Sequence, residues 1–401
     1  MFPHNREGKI HTPVQLKDWI EVVVGHMPHL SKPTGTVLAL WSFGMVLARS
    51  CGLTSVSVSL ASLLGKKEDA LRQRLREWCW DAQDKKGQRR QALDVTACFD
   101  PLLRWILALW SAQERRLALV MDATTLGQRF VVLAISVVYR GCGIPIAWVV
   151  LPAIAKGAWK DHWLTLFEHL RSSVPADWTV IVLADRGLYA NWLYQHIQSL
   201  GWHPYLRINS GGKFRPEGAN QFYLLSSLVS HPGCAWSGRV VCFKSQPVPG
   251  TLLACWAEGC AEPWLILTDL APEQAEACWY GLRPWIECYF KDAKRGGWQW
   301  HQTKMTDPER ATRLWLAIAV ATLWTVSVGG EAEANLPASS LDELPETHIA
   351  RRRATKRSQP RLLSCFRRGW LVILSALVTG LLVPLGHFYP EPWPCSTKTY
   401  P

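Results

Sequence analysis

A chain of 401 residues with 48% hydrophobic content can bury two or three domains, one of them a large α/β core, and this excludes a disordered protein. Lysine and arginine number 44 against 32 acidic residues, a net charge of +12, which favours an anionic partner, nucleic acid being the commonest. The 12 cysteines include no CxxC pair, against a zinc ribbon, and most sit in apolar settings such as Glu77-Trp78-Cys79-Trp80, as reduced thiols of a cytosolic protein do.

Residues 1–112 are expected to be helical and to form a DNA-binding domain. The N-terminus shows no apolar run of the kind a signal peptide carries. Val37–Arg49 is an apolar helix, and a second starts at Gly52-Leu53-Thr54 and runs to about Leu64. After a turn at 65–69, the segment Ala70–Trp78 has apolar residues at 71, 75 and 78, which is helical spacing. Its other face carries Arg72, Arg74 and Arg76. Helix, glycine turn and arginine-rich helix resemble a helix-turn-helix, so these arginines are candidate DNA contacts. A helical bundle with a solvated basic face fits the same pattern. Lys85–Arg90 reads as a polar loop.

Strand character takes over in residues 113–208. Leu117–Asp122, Phe130–Tyr139 and Ile144–Pro152 read as an antiparallel meander, followed by a helix at Trp159–Ser172. Strand Trp178–Ala184, helix Asn191–Leu200 and strand His203–Ile208 complete the order β-β-β-α-β-α-β. That is the order of the ribonuclease-H-like fold, so the expected class is α/β, a mixed sheet of that type. Residues 209–270, with their short β-prone runs, read as a β-rich insertion. Residues 271–330 return to helices and supply the second part of the core.

Residues 331–401 read as a basic linker and a C-terminal helical region. Residues 351–368 carry eight lysines and arginines and no acid. Trp370–Gly386 then spans 17 mostly apolar, uncharged residues, short of the ~20 a membrane helix needs. With Gly380 inside and Pro384 near its end, a buried helix is the first reading. A basic protein held to a membrane by this stretch is the competing one. Most of the 23 tryptophans are expected in the core.

Three carboxylates carry the chemistry. Asp122 ends the apolar run from Leu117, and Asp185 ends the run from Val180. Glu287 lies in Tyr280-x2-Arg283-x3-Glu287-x6-Lys294. The separations are 185 − 122 = 63 and 287 − 185 = 102 residues, the second lengthened by the insertion. If the strand of Asp185 lies parallel beside that of Asp122, both acids emerge at one sheet edge, and a helix packed across it can add Glu287. Such a set can hold two divalent ions ~3.5–4 Å apart and cleave or join phosphodiesters by in-line displacement. Each acid alone has a plainer reading, Asp122 as a turn former and Asp185 in a structural ion pair. Lys291 and Lys294 are expected one and two turns beyond Glu287 on about the same helix face, where phosphate would lie; an i,i+4 Glu–Lys pair is the alternative. Pro284 sets a helix start or a kink, so Tyr280 and Arg283 enter from the preceding turn.

With these residues in place, the chain resembles the DDE transposases of the insertion-sequence-four family. The Tyr-Arg-Glu-Lys spacing is that family's signature, and Asp122-Ala123-Thr124-Thr125 and Asp185-Arg186-Gly187 resemble its two aspartate motifs, over roughly residues 115–330. The resemblance implies cut-and-paste transposition. A nick at each transposon end frees a 3′-hydroxyl, which forms a hairpin; hairpin opening and strand transfer into target DNA follow. It implies two Mg²⁺ or Mn²⁺ ions on Asp122, Asp185 and Glu287, with Tyr280, Arg283 and Lys294 at the DNA phosphates, beside the Lys291 that the helix spacing adds. It also implies double-stranded DNA as partner, a homodimer, no membrane, and a place in the prokaryotic cytoplasm at the nucleoid. An insertion tryptophan, Trp236 or Trp256, is a candidate to hold a flipped base, with a core role the alternative. An inactive or regulatory relative, and a metal nuclease that cuts without joining, are the competing functions.

Overall fold

The computed structural model describes residues 13–86, 91–154, 159–258, 260–334 and 363–394. Its centre is a meander of β1 (Arg116–Leu126), β2 (Phe130–Tyr139) and β3 (Cys142–Pro152). Helix α6 (Lys160–Glu168) leads to β4 (Thr179–Ala184), and α7 (Asn191–Ser199) to β5 (His203–Arg207). Strands β1, β4 and β5 pair in parallel, and β2 pairs antiparallel with both β1 and β3, so β2 alone is reversed in the spatial order β3-β2-β1-β4-β5. This is the ribonuclease-H-like arrangement expected from the strand order. All ten residues of β2 are buried. Successive side chains point to opposite faces, so both faces of the sheet are covered there.

The insertion adds β6 (Lys213–Pro216), β7 (Tyr223–Leu224), β8 (Ala235–Cys242), β9 (Val248–Cys255) and β10 (Trp264–Thr268). It prolongs the same sheet instead of standing apart, because β10 pairs antiparallel with β5 and β9, β8, β6 and β7 follow outward. The mixed sheet therefore has ten strands among the described residues.

The N-terminal part consists of α1 (Val14–His26), α2 (Lys32–Ala48), α3 (Leu53–Leu64), α4 (Glu68–Trp78) and α5 (Phe99–Ala108). Gly65, at φ 58°, takes the left-handed turn that ends α3, a conformation that favours glycine. Helix α8 (Trp285–Lys291) lies over the start of β3. The fit is close: a Cβ on Gly143 would sit 3.0 Å from Tyr289 Cβ and 3.4 Å from Ile286 Cα. Helix α9 (Pro308–Ala332) starts at an Asp307 cap accepting from Arg310 N at 3.0 Å. Its 25 residues are long and apolar enough to cross a membrane, but its apolar window is wholly buried inside the protein. It is the core helix, with Trp324 stacked on Trp19 at 4.1 Å and Trp315 edge-on to Trp300 at 5.2 Å.

Three expectations need correction. β1 does not stop at Asp122 but runs on to Leu126, because its hairpin with β2 continues to the pair Leu126↔Phe130. Its parallel pairing with β4 ends at Val120, so Asp122 lies just past β4's reach, at the open edge. The helical part expected to close at residue 330 runs on slightly, since α9 extends to Ala332. The C-terminal helix α10 spans Cys365–Thr379, not Trp370–Gly386, and buries one face through Cys365, Phe366, Gly369, Ile373 and Ala376. Gly380 at φ 70° stops it, and Leu381 and Leu382 beyond it are exposed. The basic stretch 351–362 and loop residues 87–90 lie outside the described residues.

Candidate active site

The three carboxylates expected to converge do so. Asp122 lies in β1 and Asp185 directly follows β4, the parallel neighbour of β1, so both leave the same sheet edge. Glu287 is in the first turn of α8. What joins them is Arg283. Its guanidinium donates to Asp122 Oδ2 at 2.8 Å and to Glu287 Oε1, and lies 3.8 Å from Asp185 Oδ2. The Arg283, Asp122 and Glu287 side chains are 11%, 18% and 14% exposed, while Asp185 at 39% faces solvent. Burial by itself would lower the pKa of Arg283, but the charges of Asp122, Tyr280, Glu287 and Asp185 outweigh it and raise it.

Pro284 explains how Arg283 reaches all three. Residues 277–282 form a 3₁₀ turn, and α8 starts directly after Pro284, whose fixed φ suits a helix start. Arg283 thus stands one turn before Glu287. Asp185 is set by its own turn: its carboxylate accepts from Arg186 N at 2.7 Å and its carbonyl from Leu188 N at 2.9 Å.

Tyr280 is placed behind the carboxylates and not among exposed phosphate contacts. It is 3% exposed, its hydroxyl donates to Ala184 O at 3.3 Å, and burial raises its pKa. Trp264 meets it edge-on at 5.3 Å. It braces the end of β4 one residue before Asp185.

Lys291 stands one turn beyond Glu287 in α8, as the spacing suggested, but Lys294 does not share that helix face. Helix α8 ends at Lys291, which is exposed, and residues 292–296 form a π turn in which Lys294 has non-helical backbone angles (φ −90°, ψ −107°). The π turn redirects Lys294, which donates to Thr124 Oγ1 at 2.7 Å and Thr125 O at 2.8 Å on β1. Lys294 so reaches the strand of Asp122 by a different route from the one expected, and burial lowers its pKa.

Arg72, Arg74 and Arg76 lie on α4, outside this cluster. Leu71, Leu75 and Trp78 face inward, Arg74 is exposed, and Arg72 and Arg76 are partly so. Trp236 packs against Phe214 at 5.8 Å, and Trp256 donates from Nε1 to Cys260 O at 2.9 Å; both are partly buried. Sequence reasoning missed Arg207, at the end of β5, and Glu262, before β10. Glu262 binds both Arg207 and Arg186 at 2.8 Å, and Arg207 lies 4.0 Å from Asp185. Arg186 was visible in its motif; Arg207 and Glu262 carried no local signal, because only strand pairing brings them beside Asp185.

The model of the transposase DDE domain family matches residues 114–324, more than half the chain and the stretch from β1 to the middle of α9. The chain belongs to that family. A cryo-electron microscopy structure of a piggyBac transposase synaptic complex with hairpin DNA is also similar, at 12% identity and a TM-score of 0.38 over 83% of this chain and 76% of that one. No curated protein matches the chain. For this DDE transposase, the matched segment contains Asp122, Asp185 and Glu287 together with Arg283 and Lys294.

Divalent metal is what such a domain implies. Among the described residues no group of three His, Cys, Asp or Glu side chains is arranged to hold an ion as the site stands. The Arg283 guanidinium lies among the carboxylates. The donor set still fits: three hard oxygen anions from three elements meet on one cation, the ligand type that Mg²⁺ and Mn²⁺ take.

Proposed function

We propose that this DDE transposase is a cut-and-paste enzyme of the insertion-sequence-four type, with Tyr280, Arg283, Glu287 and Lys294 as its signature residues. One observation carries the reading: Asp122, Asp185 and Glu287, from two parallel strands and a crossing helix, meet on a single cation. Asp122, Asp185 and Glu287 would hold two Mg²⁺ or Mn²⁺ ions, which when bound polarise the scissile phosphate and lower the pKa of the attacking hydroxyl.

The chain's own groups position the DNA. Arg283 and Lys294 supply charge-assisted donors to phosphate oxygens beside the acids, and Lys291 adds an exposed charge one turn after Glu287. Tyr280 keeps Asp185 in place through Ala184. In the nicking step water attacks the phosphorus and the 3′-oxygen leaves as a 3′-hydroxyl. That hydroxyl then attacks the opposite strand to close a hairpin, water reopens it, and the freed 3′-hydroxyl attacks target DNA. The partners are the terminal inverted repeats and target DNA, bound by a homodimer in the prokaryotic cytoplasm. Arg72, Arg74 and Arg76 on α4 serve as outlying DNA contacts of residues 1–112.

The test is cleavage of end-labelled DNA carrying the repeats that flank the gene, with Mg²⁺ or with EDTA, resolved on a denaturing gel. Metal-dependent cuts at the repeat boundary with hairpin products are expected. Glu287→Gln should remove cleavage while DNA binding persists; cleavage retained in that variant would refute the site. Binding without any cut by the unaltered protein would favour the regulatory relative.

A further inference from the structure

Arg186 and Arg207 share one carboxylate. Arg186 Nη1 lies 2.8 Å from Glu262 Oε2, and Arg207 Nη2 lies 2.8 Å from Glu262 Oε1. Two guanidinium groups on the two oxygens of one anion is an arrangement that phosphate oxygens reproduce. The three groups come from three places in the chain: the turn after β4, the end of β5 and the loop before β10. Arg207 is 15% exposed and also donates to Pro263 O at 3.4 Å, so it is a fixed wall. Arg186 and Glu262 are each 47% exposed and can move.

Position makes this more than a surface ion pair. Arg207 Nη1 is 4.0 Å from Asp185 Oδ1, whereas Arg283 approaches the other carboxylate oxygen, Oδ2, at 3.8 Å. An anion seated between Arg186 and Arg207 would lie next to the catalytic edge. Counting Asp185, the group holds two positive and two negative charges, so without DNA it is neutral. Displacing Glu262 leaves two arginines beside one carboxylate, a site that calls for a further anion.

We propose that Arg186 and Arg207 form a backbone-phosphate site for the DNA strand passing Asp185, and that Glu262 occupies it until a phosphate takes its place. This rests on the DNA-transposase reading above. Glu262 then sets the threshold for DNA entry at this edge: the strand must displace a carboxylate to reach the acids.

The experiment is equilibrium binding of a fluorescent duplex by the full-length protein in EDTA, across a salt series, with thermal melting of each variant in parallel. Glu262→Gln is expected to bind several-fold tighter than the unaltered protein. Arg207→Gln and, independently, Arg186→Gln should bind several-fold weaker, with the log–log salt slope shallower by about one. Glu262→Gln combined with Arg207→Gln should lose the gain. If the unaltered protein binds DNA and all three single variants match it in affinity and slope, the trio is only a tie between the insertion and the core, and the phosphate site is refuted. If the unaltered protein binds no DNA even at low salt, the transposase reading itself falls, and this site with it.

Discussion

Arg283 donates to Asp122 and Glu287 and stands beside Asp185, so one positive charge is shared among the three negative ones at this sheet edge. Three carboxylates at such spacing repel one another without a cation among them. Arg283→Gln should therefore lower the melting temperature, and the variant should regain more stability on adding Mg²⁺ than the unaltered protein does, since a ligand that binds only the folded state stabilises it. Equal Mg²⁺ responses in calorimetry would show that Arg283 does not compete with metal. Lys294 gives a second test. Its ammonium is held on Thr124 and Thr125 beside the strand of Asp122. Lys294→Ala should make the salt slope of cleaved-end binding shallower by about one. An unchanged slope would assign Lys294 to holding the π turn against β1.

At the scale of elements, the π turn after α8 is the least expected feature, and Asp292 sits at its start. Burial pushes the Asp292 carboxyl up to about 7, partly opposed by Lys291 and Arg367. The folded-state pKa is raised above the unfolded one, near 4, so the folded protein holds this proton more tightly. The resulting stability is fully present below the unfolded pKa and is lost as pH rises from about 4 through about 7, by up to ~1.4 kcal/mol per pH unit. Asp292→Asn should flatten this window and melt higher than the unaltered protein above pH 7. An unchanged pH profile in thermal denaturation would refute the assignment. Helices α9 and α10 show why the C-terminal segment packs where it does. A Cβ on Gly369 would come within 1.8 Å of Thr325 O, so the two helices approach closely at a place that admits no side chain. The run Trp370–Gly386 looked like one buried helix because hydropathy counts apolar residues. The left-handed turn at Gly380 ends the helix before the run does.

Across the whole molecule, the chain beyond α10 closes the fold back on the β2–β3 turn. Arg140 and Glu391 form a buried pair at 3.0 Å, each side chain 6% exposed, and Arg140 also donates to the carbonyls of Glu333 and Tyr389. Phe388 bridges to Trp110 next to α5. The sheet edge, the N-terminal helices and the C-terminal segment are thereby linked. Removing one partner of a buried ion pair strands the other, so Glu391→Ala should destabilise the protein by ~3–5 kcal/mol. A melting temperature within a degree or two of the unaltered protein would mean the pair contributes little.

The helical N-terminal part, the first five strands, the β-rich insertion and the three acids that meet on Arg283 were all legible in the chain. Each of those readings rests on local information: apolar periodicity, turn residues, or a motif whose spacing one helix or strand can hold. Asp122 and Asp185 were legible because apolar strands led up to them, and Glu287 because four residue types recurred at fixed intervals around it. Tertiary structure alone decided the rest. The insertion prolongs the core sheet because β10 pairs with β5, a hydrogen-bonding choice between strands separated by the whole insertion. Lys294 reaches Thr124 through a π turn that an ideal helical repeat cannot anticipate. Tyr280 lies behind the site because β10 carries Trp264 against it. Glu262 meets Arg186 and Arg207 for the same reason: β4, β5 and β10 are neighbours in the sheet though distant in the chain. Local pattern specifies which residues can do chemistry; strand pairing between remote segments decides which of them meet.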